Sequence, residues 1–284
     1  MPLFLFVSDL HGSAARYAAL EREVVRLQPR ALLLGGDLLP HFASIDPVEY
    51  VERDFAPLFR RLRDRLQAAF PQVGLVLGND DTRLAEAPLY RIEQEEGLWV
   101  YLHRRRELLA GWPVFGYNCV PPTPFQLKDF ERFDVSRYLD PGCLAPEEGL
   151  QTVEVPLHEL RFGTIMADLE ELVGEEDLQR AVLLMHSPPY RTALDRAGLD
   201  GQKIDLVPLE LNVGSLAIRR LVEARQPQVG LHGHIHESPR LTGSWRDLLG
   251  RTHLFSAAHD GSELTLVLFD PECPEQAERL LVSA

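Results

Sequence analysis

The sequence predicts an α/β fold, and three observations carry that prediction. Short, continuously apolar runs recur along the chain at Leu3–Val7, Ala31–Leu34, Val73–Leu77 and Ala181–Met185. A stretch with helical spacing separates the first two, giving a β-α-β order. Each run ends in polar side chains able to bind a ligand. Strands buried on both faces of a parallel sheet are continuously apolar, and α/β sheets bind ligands in the crevice outside their strands' carboxyl ends.

With 284 residues, 45% of them hydrophobic, the chain can bury one large core or two modest ones. No internal repeat, low-complexity tract or linker divides it, so residues 1–284 read as one domain. A formal net charge of −14 argues against a nucleic-acid partner, which needs a basic face, and against a polybasic membrane anchor. Arg60-Arg61-Leu62-Arg63 and His103-Arg104-Arg105-Arg106 read as solvated faces, with a phosphate-contacting edge as the minority reading. Cys119, Cys143 and Cys273 are few, odd in number and without CxxC spacing. That fits a reducing cytosol and neither a disulfide framework nor a zinc-thiolate site. Leu3–Val7 lacks a basic flank and is too short for a signal segment or a membrane span. A soluble, cytoplasmic protein is expected.

Taken in order, strand one delivers Ser8-Asp9-Leu10-His11-Gly12. Alternation puts Asp9 and His11 on one side, a carboxylate and an imidazole that make half a metal site. Ser13 reads as the N-cap of a helix to about Gln28, with Leu20, Val24 and Leu27 on one face and Pro29 closing it. The second strand ends at Gly35-Gly36-Asp37, where the glycine pair permits a close turn. Alone, Asp37 reads as a turn-capping residue; recurrence of the same construction overturns that reading. A helical region is expected from Asp46-Pro47 to about Phe70, acidic first and arginine-rich later as the helix dipole favours, with Pro57 breaking or kinking it.

The third strand ends at Gly78-Asn79-Asp80-Asp81. Trp99–Leu102, Glu107–Ala110 and Val114–Tyr117 read as strands. Residues 119–162, rich in proline and charge with little periodicity, read as an insertion: either a lid-like functional segment or a surface excursion or oligomer contact. A helix with many carboxylates on a solvated face is expected from Thr164 to about Gln179. The fourth run ends at His186-Ser187-Pro188-Pro189, whose prolines stop the strand. Val213–Arg225 reads as a helix, and Val229–Leu231 leads into His232-Gly233-His234-Ile235-His236. Trp245–Arg251, His253–Ala257 and Leu264–Phe269 read as further strands.

Asp9, His11, Asp37, Asn79, His186, His234 and His236 thus all stand at strand ends or their turns. Imidazole, carboxylate and amide oxygen without thiolate favour Mn²⁺, Fe or Zn²⁺, and six or more donors exceed one tetrahedral zinc. Two metals sharing one carboxylate would use them. Such pairs, ~3.5–4 Å apart, clamp the attacking and leaving oxygens of an in-line displacement at phosphorus.

The ordered series Asp9-Leu10-His11, Gly36-Asp37, Gly78-Asn79-Asp80-Asp81, His186 and Gly233-His234-Ile235-His236 resembles the calcineurin-like metallophosphoesterases and spans most of the chain. The resemblance implies a four-layer αββα sandwich of two mixed β-sheets flanked by helices. It implies that Asp9, His11 and His236 hold one metal, that Asn79, His186 and His234 hold a second, and that Asp37 bridges both together with a hydroxide that attacks phosphorus. The implied cofactors are two divalent ions, Mn²⁺ first, with Fe or Zn²⁺ as alternatives. The implied partner is a small phosphorylated substrate.

One departure from the family pattern matters. Many members carry His after the Gly-Asn pair, where it contacts substrate phosphate and helps protonate the leaving oxygen; this chain has Asp80. A carboxylate is a poor general acid near neutral pH unless its pKa is raised, and it repels a dianionic monoester more than a monoanionic diester. A phosphodiester or pyrophosphate-type substrate is therefore expected. The candidate catalytic residues are Asp37, Asn79, Asp80 and His41, the last as a replacement acid or a surface loop residue. Asp81 reads as a supporting or turn residue and His232 as a packed strand residue. Tyr190 and Arg191 read as a substrate grip or an exposed face, and His259 as a rim residue. Two other readings stay open: a phosphomonoesterase or protein phosphatase on the same site, and a non-catalytic metal-binding scaffold.

Overall fold

The computed structural model describes residues 3–41, 43–204 and 206–284. Strand β1 (Phe4–Val7) leads to helix α1 (Ala14–Leu27), and β2 (Ala31–Gly35) returns parallel to β1. Ser13 caps α1, its Oγ accepting the Arg16 N–H at 3.3 Å. Next come α2 (Pro47–Tyr50), a π turn (Val51–Phe55) and α3 (Ala56–Leu66). Where the sequence predicts a break or kink at Pro57, the helical run continues but its α geometry is interrupted just before the proline by the π turn. A proline ring collides with the carbonyl four residues back in an α-helix. Here the preceding turn is widened, the Ala56 N–H reaching Val51 O, and Pro57 falls in the first turn of α3.

Strand β3 (Gln72–Val76) is followed by α4 (Glu86–Glu96), which the sequence left unassigned, and by β4 (Val100–Tyr101), β5 (Arg105–Leu109) and β6 (Trp112–Tyr117). After the 119–162 segment, whose end forms α5 (Leu157–Phe162), come α6 (Ile165–Val173) and β7 (Val182–Met185). The helix expected to reach Gln179 stops at Val173, because Gly174 takes left-handed backbone (φ 45). Its Ile165, Asp168, Leu169 and Val173 are buried, so α6 is a packed helix with one solvated side. The chain finishes with β8 (Lys203–Ile204), β9 (Val207–Pro208), α7 (Leu216–Arg225), β10 (Val229–His232), α8 (Ser238–Thr242), β11 (Arg246–Leu249), β12 (Thr252–Ser256), β13 (Leu264–Phe269) and β14 (Glu278–Val282).

Two six-stranded mixed sheets result, ordered β14-β13-β1-β2-β3-β4 and β11-β12-β10-β7-β6-β5. The period-two alternation of β1 and β2 builds the layers. Phe4, Phe6, Ala31 and Leu33 form the core between the sheets with Val182, Leu184, Leu231, Phe255 and Val267. Leu5, Val7, Leu32 and Leu34 face the other way and share a core with Leu20 and Val24 of α1 and Phe59 of α3. In the second sheet Leu183 and Met185 likewise join the core that contains Leu169 of α6 and Ile218 and Val222 of α7. This is the αββα sandwich that the resemblance implies. The parallel strands β1, β2, β3, β7 and β10 bring their carboxyl ends to one edge, and the candidate ligating motifs follow there.

The 119–162 segment is fastened by buried polar groups. Lys128 Nζ, fully buried, donates to Glu131 Oε2 at 2.5 Å and to Thr123 O at 2.7 Å. Asp129 accepts the N–H groups of Arg83 and Thr152, both at 2.8 Å. Arg132 Nε lies 3.1 Å from Asp168 of α6, and Asp134 caps α7 by accepting from Ser215 Oγ and Leu216 N, both at 2.6 Å. Arginines of both basic clusters are ion-paired: Arg60 with Glu96, Arg61 with Glu21, Arg104 with Glu171, Arg105 with Glu93 and Arg106 with Glu176. Among the described residues no helix is long and apolar enough to cross a membrane.

Candidate metal centre

The turns after β1 and β2 interlock through their backbones. Asp9 N–H donates to Gly36 O at 2.9 Å and His11 N–H to Asp37 O at 2.8 Å. Asp9, His11, Asp37 and His234 take left-handed backbone, with φ of 59°, 47°, 50° and 73°. Non-glycine residues rarely adopt that conformation, and it clusters where surroundings over-determine a functional geometry. Asp9 Oδ2 accepts from Ser8 Oγ, and its Oδ1 accepts the His234 N–H at 3.0 Å and lies 3.2 Å from His236 Nε2. His236 Nε2 in turn stands 3.2 Å from His11 Nε2.

From the second sheet, buried His186 donates Nδ1–H to Gly35 O at 2.8 Å, which aims Nε2 at Asp37 Oδ2, 3.2 Å away. Fixing one ring nitrogen on a carbonyl is how a protein orients the other toward a metal. Ligand atoms of Asp9, His11, Asp37 and His236 lie within 4.8 Å of one another, as do those of Asp37, His186 and His234. Asp37 alone belongs to both groups. Among the described residues nine buried side-chain atoms find no hydrogen-bond partner, and Asn79 Oδ1 and His186 Nε2 are two of them. Buried polar atoms are seldom left so, and both are the atom types a divalent cation takes. The packing leaves room for nothing bulkier than glycine beside them: a Cβ on Gly78 would sit 2.2 Å from Asp37 Oδ1 and 2.5 Å from His186 Nε2. The donor set fits a pair of divalent ions.

Residues 2–238 match the family model for calcineurin-like phosphoesterases. The chain belongs to this family. Its fold is similar to the crystal structure of TT1561 of Thermus thermophilus, at 16% identity and a TM-score of 0.62 over 99% of this chain and 98% of that one. A second crystal structure is similar at 15% identity and a TM-score of 0.62, over 99% of both chains. A novel archaeal phosphodiesterase follows at 8% identity and a TM-score of 0.47, over 99% of each chain, a likeness too slight to inform substrate choice. No curated protein matches in sequence.

The electrostatics suit a metallophosphoesterase. Burial opposes ionisation of Asp9, yet the hydrogen bond and charge of His236 bring its carboxyl down to about 2. Asp37 is buried too, and His186 and His11 hold it far below the carboxylate range. In return His11 and His186 are raised against burial to about 9, His11 chiefly by the hydrogen bond to Asp80 and His186 chiefly by the charge of Asp37. Burial, then the charge of His186, lowers His234 to about 3. The two carboxylates, Asp9 and Asp37, are thus buried with imidazoles packed around them.

Asp80 sits at the mouth of this phosphoesterase centre. Its N–H donates to Asp37 Oδ1 at 2.9 Å, and its carboxylate lies 3.2 Å from His11 Nδ1 and 3.8 Å from His41 Nε2. His41, its side chain 55% exposed, stands at the rim against Asp80. Asp81 turns inward and accepts three backbone N–H groups: Leu38 at 3.1 Å, Leu39 at 2.8 Å and Gly78 at 2.9 Å. It therefore ties the Asp37 turn to the Asn79 turn, and burial with the nearby charge of Asp37 raises it to about 7. His232 is fully buried, its Nδ1 on Ser187 O at 2.9 Å, and burial lowers it to about 4. Tyr190 lies under the Arg191 guanidinium, 5.1 Å from its ring centroid, with its hydroxyl 3.1 Å from Glu210. His259 pairs with Glu263 at 3.2 Å. Sequence reasoning missed Arg16, whose Nη1 donates to Asp9 O at 2.6 Å; no spacing within the sequence announces that contact.

Proposed function

We infer that this calcineurin-like phosphoesterase is a dinuclear-metal hydrolase of phosphodiester or pyrophosphate-type bonds. In this reading Asp9, His11 and His236 hold one ion, Asn79, His186 and His234 hold the other, and Asp37 serves both. Mn²⁺ suits imidazole, carboxylate and amide donors without thiolate. What a bound ion pair supplies is an activated water-derived nucleophile and neutralisation of charge at phosphorus. The chain's own residues do the rest. His186, fixed on Gly35 O, and Asp9, fixed by Ser8 and His234, present their ligand atoms without rearrangement.

The observation that carries the substrate reading is Asp80, a carboxylate at the mouth of the centre against His11. Two unit charges 4 Å apart interact by about 1 kcal/mol in water and about 4 kcal/mol near a protein surface. A dianionic monoester therefore meets a larger penalty there than a monoanionic diester. Residues 119–162, fastened at Arg83, Asp168 and Ser215, fit a fixed wall that shapes substrate choice better than a hinged lid. One metallophosphoesterase domain over the whole chain and a reducing, cytoplasmic setting complete the reading, the latter supported by Cys119, Cys143 and Cys273 as free thiols.

The test is hydrolysis of bis-p-nitrophenyl phosphate against p-nitrophenyl phosphate by Mn²⁺-loaded protein, wild type and Asp80→His. Diester preference in the wild type and a shift of at least about tenfold toward the monoester in the variant are expected. An unchanged ratio removes the diester reading. One observation favours the monoesterase alternative: His41 stands 3.8 Å from Asp80, so an imidazole from another loop occupies the neighbourhood of the missing one. Monoester preference that collapses in His41→Ala would establish that alternative.

A further inference from the structure

Arg16 lies in the first turn of α1, its own N–H on Ser13 Oγ, and its side chain leaves the helix beside the turn after β1. Nη1 donates to Asp9 O and Nη2 to Gly261 O, each at 2.6 Å. Gly261 belongs to the crossing from β12 of one sheet to β13 of the other. A single planar guanidinium thus joins the backbone of a metal-site carboxylate to the connection between the sheets, a two-pronged bond that lysine does not reproduce.

Three features make this contact consequential. Asp9 holds left-handed backbone (φ 59°), which persists only where neighbours impose it. Its carboxylate is already fixed from the far side by Ser8 Oγ and the His234 N–H, so the carbonyl bond to Arg16 completes the constraint on the residue. Behind Asp9 lies a cavity of about 10 Å³, lined by Ser8, Asp9, Arg16, His259, Glu263 and Thr265 among others. The pocket is partly open, and among the described residues the buried Thr265 Oγ1 in its wall finds no hydrogen-bond partner.

We propose that Arg16 is a positioning residue that sets the metal affinity of the Asp9–His11–His236 half of the centre more strongly than that of the Asn79–His186–His234 half, which it reaches only through the bond from His234 N–H to Asp9. This rests on the two-ion reading above. Partners that orient a ligand typically account for about 10–100-fold in metal affinity, and the loss here falls mainly on one site of two. Arg16→Lys, which can reach one carbonyl but not both, lies between wild type and Arg16→Ala.

The experiment is calorimetric titration of metal-free full-length protein with Mn²⁺, with bound metal counted by mass spectrometry, for wild type, R16A, R16K and R22A. Arg22 is on the same helix but exposed, its Nη2 on Ser283 O, and its loss should change neither site. The expected result is two sites in wild type and R22A, with one site weakened about 10–100-fold in R16A, less in R16K, and restored in R16A by methylguanidinium. If R16A folds poorly by circular dichroism, R16K decides. Two unchanged sites in the folded variants, or equal loss at both sites, overturns the proposal alone. Wild-type protein that takes up no Mn²⁺ overturns the two-ion reading and this proposal with it.

Discussion

Replacing Gly78 by alanine measures what the centre asks of its backbone. Gly78 lies outside the left-handed region, so alanine meets no conformational objection there. The objection is steric: its Cβ would lie 2.2 Å from Asp37 Oδ1, 2.5 Å from His186 Nε2 and 2.6 Å from Asp37 N. Restoring van der Waals separation moves Asp37 or the Asn79 turn by about 1 Å. A displacement of that size at reacting groups costs on the order of 100-fold in rate, and overpacking costs about 1–3 kcal/mol in stability. Gly74, in β3 two residues before the strand ends, is the control. A Cβ there meets Leu109 Cδ1 at 2.6 Å and Leu102 Cδ1 at 2.9 Å, the ends of side chains in the core between the sheets. Both variants should lose comparable stability in urea. Only G78A should lose Mn²⁺ uptake, with turnover of bis-p-nitrophenyl phosphate falling about 100-fold. A G78A protein that binds Mn²⁺ and turns over like wild type would refute the reasoning, because the ligand atoms would then have slack that the structure does not give them.

Other predictions are independent of that one. Asp37→Asn removes a charge from both ligand groups at once, so equilibrium dialysis should show weakened uptake of both ions and hydrolysis should vanish; near-wild-type turnover contradicts the bridging role. Lys128→Met strands Glu131 as a buried carboxylate, at a cost of about 3–5 kcal/mol by urea unfolding, whereas replacing both partners by apolar residues should recover most of it. Burial, then Arg83, Arg104 and Arg132, hold the His103 imidazole well below its usual range, and Nδ1 accepts the Asn118 N–H at 3.1 Å. The unfolded chain binds a proton near the ordinary histidine pKa of 6.5 that the fold refuses. This stability is present above about pH 6.5 and lost as pH falls below it. His103→Gln should flatten the slope of unfolding free energy between about pH 5 and 6.5, and a slope equal to wild type counts against it.

The ligand-bearing strands are legible because burial on both faces writes them as unbroken apolar runs, and the turns they feed carry residue types with little reason to recur by chance. Strand β14 is not legible. It lies at a sheet edge, and exposed Glu278 and Leu281 break the pattern. Helix α4 buries only Pro88, Leu89 and Ile92, too faint a stripe to announce eleven residues. The course of the chain at Pro57 and Gly174 is decided by a single turn's backbone, a widened one in the first case and a left-handed one in the second. In the centre itself, side-chain chemistry names the residues that could ligate, but contacts between distant loops name their supports. Arg16 and Gly261 are 245 positions apart, and Asp81 reaches back 43 positions to Leu38. No local spacing encodes either. The same holds for His41 against Asp80, which only the packing of two loops brings together.

Because the cluster draws on both sheets, its donors leave the ribosome in two instalments. Asp9, His11, Asp37 and Asn79 come early, while His186, His234 and His236 come late, the last of them 157 residues after Asn79. At synthesis rates of about 5–20 residues per second the interval is roughly 8–30 s. For the first 107 of those residues the donors made are carboxylates and an amide with one imidazole, His186 then adds a second, and neither position has a complete set until His234 and His236. On the two-ion reading, a complete donor set exists only once the second sheet has docked, so the cell's free-ion pool would bear on which metal fills the centre alongside the ligands themselves.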